Sequence, residues 1–233
     1  MKFVYCVQTE ENLPSQYSEI RDRCIVLSWK KPGQDTTLYF PNSTWNTGRN
    51  ALIRHLKESS IDYDYAIFLD DDLEFVKGGF LEFENLVRKN PDWIVATVSD
   101  DCVRDPNQPH RFMNSTSNHK NWQVVPQFDA CFSCFRKDFI DSDKFLPYDE
   151  SWDHITWWAS QIVLCQKLNA LEVPIHYVNS ISAKNSKSRP YPRQEEIIRN
   201  IAIEINRRVN AYYGTNIPPW FHAAQNWNFR GGD

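Results

Sequence analysis

Long apolar runs are missing from this chain. No window approaches the roughly 20 apolar residues that a membrane span requires, so no span is expected. The first residues, Met1 to Thr9, hold too short an apolar stretch for a secretory leader, and no small-residue cleavage site follows. The expected compartment is therefore cytoplasmic, and the sequons at Asn42 and Asn114 should go unused. Runs of one charge are missing as well. Lys and Arg number 26 against 30 Asp and Glu, a net charge of −4 with the signs mixed, which leaves no basic footprint for a nucleic acid. Cysteine is sparse. Of six cysteines only Cys131 and Cys134 are close in sequence, and a lone C-x-x-C without a second pair is weak evidence for zinc. Their segment reads as a strand, where an offset of three sends the two thiols to opposite faces. No internal repeat or low-complexity segment occurs.

What is present is material for a core. The chain has 233 residues, 41% of them apolar, which suits one α/β domain. Nine Trp, ten Tyr and fourteen Phe are enough to fill a core and to line a cleft with flat faces. Apolar runs at 2–7, 24–29, 36–40, 64–69 and 93–98 read as strands. Helical spacing appears at 51–57, where Leu52, Ile53 and Leu56 share a face, and again at 79–89. Strands interleaved with helices argue an α/β fold with a mostly parallel central sheet flanked by helices. The second half is less regular: a polar loop at 99–121, strands at 130–135 and 173–178, helices at 155–168 and 194–209, and a basic polar stretch at 180–192. The tail at 229–233 reads as disordered.

The most informative segment is Asp70-Asp71-Asp72, directly after a strand that is apolar almost throughout. Such a strand belongs at the centre of a sheet, buried on both faces. Three adjacent carboxylates repel one another and call for a cation. A hard divalent ion with oxygen ligands is the natural candidate, and the carboxyl end of a central strand is where α/β sheets bind ligands. A calcium loop of the EF-hand type is excluded, because Phe75 stands where that pattern needs Gly.

With these pieces in view the chain resembles the GT-A glycosyltransferases over about residues 2–178. The strand with Asp70-Asp71-Asp72 looks like the family's D-x-D motif. Asn46-Thr47-Gly48-Arg49-Asn50 looks like the segment that precedes it. The run from Phe128 to Asp138, followed by Leu146-Pro147-Tyr148-Asp149-Glu150, looks like the acceptor-side strand and the loop beyond. The resemblance implies a GT-A fold over 1–233, with a nucleotide-binding half of about 1–100 and an acceptor-binding half of about 101–233. It implies a nucleoside-diphosphate sugar as donor, a glycan or other hydroxyl as acceptor, and Mn²⁺ or Mg²⁺ as cofactor. Asp72 would hold the metal. Asp70 would share it or contact the ribose, and Asp71 would lie beside the donor. Thr9 would lie near the nucleoside, Arg49 would approach the diphosphate or brace the carboxylates, and His176 would complete the metal shell. Lys184, Lys187 and Arg189 could close over the diphosphate as a flexible loop.

One departure stands out. Ser160 and Gln161 occupy the helix start where the resemblance places an acidic pair that supplies the base. The nearest acids upstream are Asp149, Glu150 and Asp153, of which Asp153 is the first candidate for the base and Glu150 the second; Asp153 could equally cap the helix. Inversion or retention stays open. Two other functions compete. A sugar nucleotidyltransferase should carry a glycine-rich basic loop after the first strand, where this chain has Gln8-Thr9-Glu10-Glu11-Asn12. A catalytically silent sugar-nucleotide-binding module would keep the carboxylates and lack the base.

Overall fold

The computed structural model describes residues 1–100, 121–186, 195–219 and 231–232. Strand β1 (Phe3–Thr9) is followed by a 3₁₀ helix (Ser15–Arg23), β2 (Cys24–Ser28), the short β3 (Leu38–Tyr39) and helix α1 (Trp45–Glu58). Next come β4 (Tyr65–Asp70), β5 (Leu73–Lys77), α2 (Phe80–Lys89) and β6 (Val95–Asp100). The second half adds β7 (Trp122–Val125), β8 (Phe132–Arg136), α3 (Lys137–Asp141), α4 (Trp158–Ala170), β9 (Ile175–Asn185), α5 (Glu195–Tyr213) and β10 (Gly231–Gly232).

The described strands form one sheet in the order β10-β7-β9-β6-β8-β4-β1-β2-β3, with β5 paired to β9 off this path. The expected α/β architecture is present. Parallel pairing holds for β3-β2-β1-β4 and for β6 with β9. β8 runs antiparallel to β4 and β6, and β5 and β7 run antiparallel to β9, so the sheet is mixed rather than mostly parallel. An apolar strand has the same pattern in either direction, which is why pattern alone does not give orientation.

Alternation along β1 builds two cores. Val4 and Cys6 join Leu52, Ile53 and Leu56 of α1 and Leu164 and Leu168 of α4 on one face. Phe3, Tyr5 and Val7 join Tyr17 of the 3₁₀ helix and Phe80, Phe83 and Val87 of α2 on the other. Each such side chain contributes about 1.5–3 kcal/mol when fully buried. α5 packs on α4 through Ala159, Ile162, Ile198, Ile201 and Ile205. Among the described residues no helix is long and apolar enough to cross a membrane.

Three local expectations change. Residues 180–185 continue β9, and 182–185 pair with β5, instead of forming a loop. Gly231 and Gly232 pair with β7 instead of fraying. Cys131 and Cys134 share one apolar layer, because β8 begins only at Phe132 and Cys131 still belongs to the preceding turn. Residues 101–120, and with them the Asn114 sequon, lie outside the described residues, as do Lys187 and Arg189.

Candidate active site

The carboxylate triplet lies where β4 ends and the chain turns into β5. Its backbone is held from outside at each position. The Tyr17 hydroxyl reaches the carbonyls of both Asp70 and Leu73, Gln16 Nε2 donates to the Asp71 carbonyl at 3.2 Å, and Ser186 donates to the Asp72 carbonyl through N at 2.8 Å and Oγ at 3.0 Å. Burial and the neighbouring Asp70, Asp71 and Asp72 push the Tyr17 phenol well above its ordinary pKa, so it stays a proton donor to these carbonyls. Asp72 is buried, 8% exposed as a residue, and the Asp70 side chain is 22% exposed.

Helix α1 fixes the Asp70 side chain. The helix starts at a Thr44–Thr47 capping box, so its first turn is defined six residues before the apolar stripe at 51–57 begins. Trp45 Nε1 donates to Asp70 Oδ1 at 2.8 Å, and Arg49 Nη2 donates to the same oxygen at 2.7 Å. Arg49 is fully buried, lies over the Trp45 ring at 4.7 Å and over Phe68 at 5.5 Å, and its Nε and Nη1 have no partner among the described residues. The guanidinium thus braces Asp70, one of the two roles expected for it. Both of these bonds fall on Oδ1, which leaves Oδ2 for a ligand. Gly48 permits this close seat: a Cβ there would stand 2.3 Å from the Gln8 amide, whose Nε2 donates to the Thr44 carbonyl at 2.9 Å. Gln8 is level with Asp70 across the β1–β4 register, and Thr9 follows it, buried, with Oγ1 on the Asn12 carbonyl at 3.0 Å.

The next face of α1 holds the acidic loop. Asn50 Nδ2 donates to Glu150 Oε1 at 2.7 Å, and its Oδ1 accepts from the Tyr148 N–H at 2.7 Å. Asp153 accepts from Asn46 Nδ2 on Oδ1 and from the Thr44 hydroxyl on Oδ2. Asp153 does not cap α4, whose N-cap is Trp157 with no side-chain cap. The helix therefore carries two i,i+4 pairs. Trp45 and Arg49 face the β4 carboxylate, while Asn46 and Asn50 face Asp153 and Glu150. None of Thr44, Trp45, Asn46, Asn50 or Tyr17 was among the candidates from sequence. The i,i+4 pair of Asn46 and Asn50 at the ends of the motif-like segment 46–50 was the available signal.

His176 is not brought to this site. It is level with Ala96, which is level with Cys134 and through it with Ile67, short of Asp70 along the sheet. β6 and β8 lie between its strand and β4, which separates the two strands by roughly 14 Å at ordinary spacing. Its ring stacks on Trp93 at 4.7 Å, meets Trp122 edgewise at 5.4 Å, and has Nδ1 at 3.2 Å from the Val95 carbonyl. Burial lowers its pKa to about 4. An apolar strand position between two indoles explains the residue as a neutral core histidine. Lys184 lies on β9, exposed, 3.7 Å from Glu74 of β5.

Among the described residues no three His, Cys, Asp or Glu side chains form a ready metal cage. The donor set still suits Mg²⁺ or Mn²⁺, since Mg²⁺ usually takes one or two carboxylates and completes its shell with water and substrate phosphates. Asp72 and the free oxygen of Asp70 are hard donors at a strand end.

The sequence matches no protein-family model and no curated protein. Solved structures do share the fold. GalNAc-T7 with UDP, GalNAc and Mn²⁺ superposes with a TM-score of 0.57 at 8% identity, covering 95% of this chain and 57% of that one. The mannosyltransferase PcManGT from Pyrobaculum calidifontis, in complex with GDP-Man and Mn²⁺, gives 0.53 at 14% identity over 95% of this chain and 67% of that one. S. aureus TarS 1-349 in complex with UDP-GlcNAc gives 0.52 at 11% identity over 90% and 70%. This chain thus spans little more than half of GalNAc-T7. At such identities the likeness is one of fold, and the fold is that of the GT-A glycosyltransferases.

Proposed function

We propose that this chain is a metal-dependent glycosyltransferase that moves a sugar from a nucleoside-diphosphate sugar to an acceptor hydroxyl. The observation that carries the reading is the double grip of α1. One helix ties the strand-end carboxylate Asp70 and the acidic residues Glu150 and Asp153 into a single unit, which is the geometry needed to hold a donor and an acceptor side by side. The GT-A fold supports the reading, and three structures of that fold were solved with a nucleotide or nucleotide sugar. In this reading residues 1–100 bind the nucleotide and 101–233 the acceptor within one domain.

Asp72 and Asp70 would hold Mn²⁺ or Mg²⁺, which would offset the negative charge on the departing diphosphate. Asp71 and Thr9 would line the donor, and Arg49 acts through Asp70. The acceptor hydroxyl attacks the anomeric carbon as the bond to the diphosphate breaks, and its proton passes to a carboxylate, first Asp153, with Glu150 second. Both Asp153 oxygens accept one bond each, and an ionised carboxylate has about four lone-pair sites, so acceptor capacity remains for that proton. The test is turnover. Asp153→Asn should cut sugar transfer by about 10²-fold or more with donor affinity unchanged, and Glu150→Gln should do less. Near-normal transfer in both variants would remove this loop as the source of the base.

A further inference from the structure

Ser160 and Gln161 stand where an acidic pair was expected, and the structure gives the first of them a different task. Asn46, the second residue of α1, is fully buried, and Ser160 of α4 is 1% exposed. Asn46 is held at both ends of its amide. Nδ2 donates to Asp153 Oδ1 and lies 3.3 Å from the Trp157 carbonyl, while Oδ1 accepts from the Ser160 hydroxyl. Ser160 Oγ also lies 2.8 Å from the Trp157 carbonyl. An ionised carboxylate only accepts hydrogen bonds, so Asp153 demands the NH₂ end of Asn46. A flipped amide would set oxygen against oxygen. Ser160 supplies the donor that the correct orientation requires at the far end. On the other side of the carboxylate, Thr44 accepts the Thr47 N–H at 3.1 Å, which leaves its own hydroxyl proton for Asp153 Oδ2.

We propose that Asn46 and Ser160 are positioning residues for the base. In this chain a neutral bracket, Ser160 to Asn46 to Asp153, joins α4 to α1 and fixes the plane of a carboxylate that comes from the loop before α4. The proposal rests on the reading of Asp153 as the base. Its specific support is that the buried amide and hydroxyl run to a half-buried carboxylate. A bracket that served packing alone would be replaceable by apolar groups of the same shape at little loss.

The experiment compares Ser160→Ala, Ser160→Thr and Asn46→Asp with Asp153→Asn in the full chain, measuring transfer, donor Kd and Tm. Misplacing a reacting group by about 1 Å lowers rate by roughly 10²-fold. Asn46→Asp keeps the shape but replaces the donor with an acceptor, and it should lower kcat by about that factor with donor Kd unchanged. Ser160→Ala should lower kcat by about tenfold, within that bound. Ser160→Thr should recover most of the loss because it keeps the hydroxyl, although its extra methyl lowers Tm. Neither Ser160→Ala nor Asn46→Asp should reduce turnover further when added to Asp153→Asn, since groups acting as a unit are not additive. Should Asn46→Asp fail to fold, the Ser160 pair decides. If Asp153→Asn loses transfer while Asn46→Asp and Ser160→Ala keep normal kcat, the bracket is overturned and the base reading stands. If Asp153→Asn keeps normal kcat, both fall.

Discussion

At the scale of single residues, Asp70 has a structural partner as well as a proposed ligand role. Asp70 neutralises a fully buried guanidinium, and removing one partner of a buried pair costs about 3–5 kcal/mol because the other charge is stranded. The rings of Trp45 and Phe68 beside Arg49 offset part of that loss. Asp70→Ala should therefore destabilise the fold by a few kcal/mol, read as a lower unfolding midpoint in urea. An unchanged midpoint in Asp70→Ala would mean that Arg49 does not depend on Asp70. His176 offers a second residue-scale outcome. Burial holds its pKa near 4 against an ordinary 6.5. The unfolded chain takes up a proton as pH falls through 6.5, and the folded chain does not until about pH 4. Stability from this residue is thus full above pH 6.5 and is lost as pH falls towards 4, by at most roughly 3 kcal/mol. His176→Phe should flatten that part of the stability–pH curve, measured by urea unfolding at closely spaced pH. An unchanged slope would place the titration elsewhere.

At the scale of elements, α1 is the part on which the site depends, and Gly48 is its tightest point. Gly inside a helix is about 1 kcal/mol less favourable than Ala, yet a Cβ here would collide with the buried Gln8 amide. Gly48→Ala should lower Tm and weaken donor binding. Gln8→Ala beneath it should recover the Tm, because it removes the obstacle. A double-mutant cycle by thermal unfolding measures this coupling, and simple additivity would contradict the close seat. The same helix shows where the sequence was legible and where it was not. Its apolar stripe of Leu52, Ile53 and Leu56 announced a helix, and the apolar run at Tyr65 to Leu69 announced β4, because each buries side chains at a fixed period. The first turn of α1 was hidden, since Asn46, Gly48, Arg49 and Asn50 are buried polar or small residues whose reason is a partner far away in sequence. β5 was missed because only Leu73 of its five residues is buried. The far half of β9 read as loop because Asn179, Ser180, Ser182, Lys184 and Asn185 are polar and only Ile181 and Ala183 there are buried. The strand-end carboxylates were found from local pattern. The bracket around Asp153 was not, because it exists only once α1 and α4 meet.

At the scale of the whole molecule, a mixed sheet with helices on both faces brings the end of β4, the start of α1 and the loop before α4 to one place. The central claim is that this place binds a nucleoside diphosphate through a divalent ion held by Asp72. Titration calorimetry of UDP and GDP into the wild-type chain and Asp72→Ala, each with Mn²⁺ and with EDTA, tests it most directly. The expected result is Mn²⁺-dependent binding of at least one nucleotide to the wild type, and its loss by tenfold or more in a folded Asp72→Ala chain, a difference of about 1.4 kcal/mol or greater. Equal affinity with EDTA and Mn²⁺, or in Asp72→Ala and wild type, would contradict it.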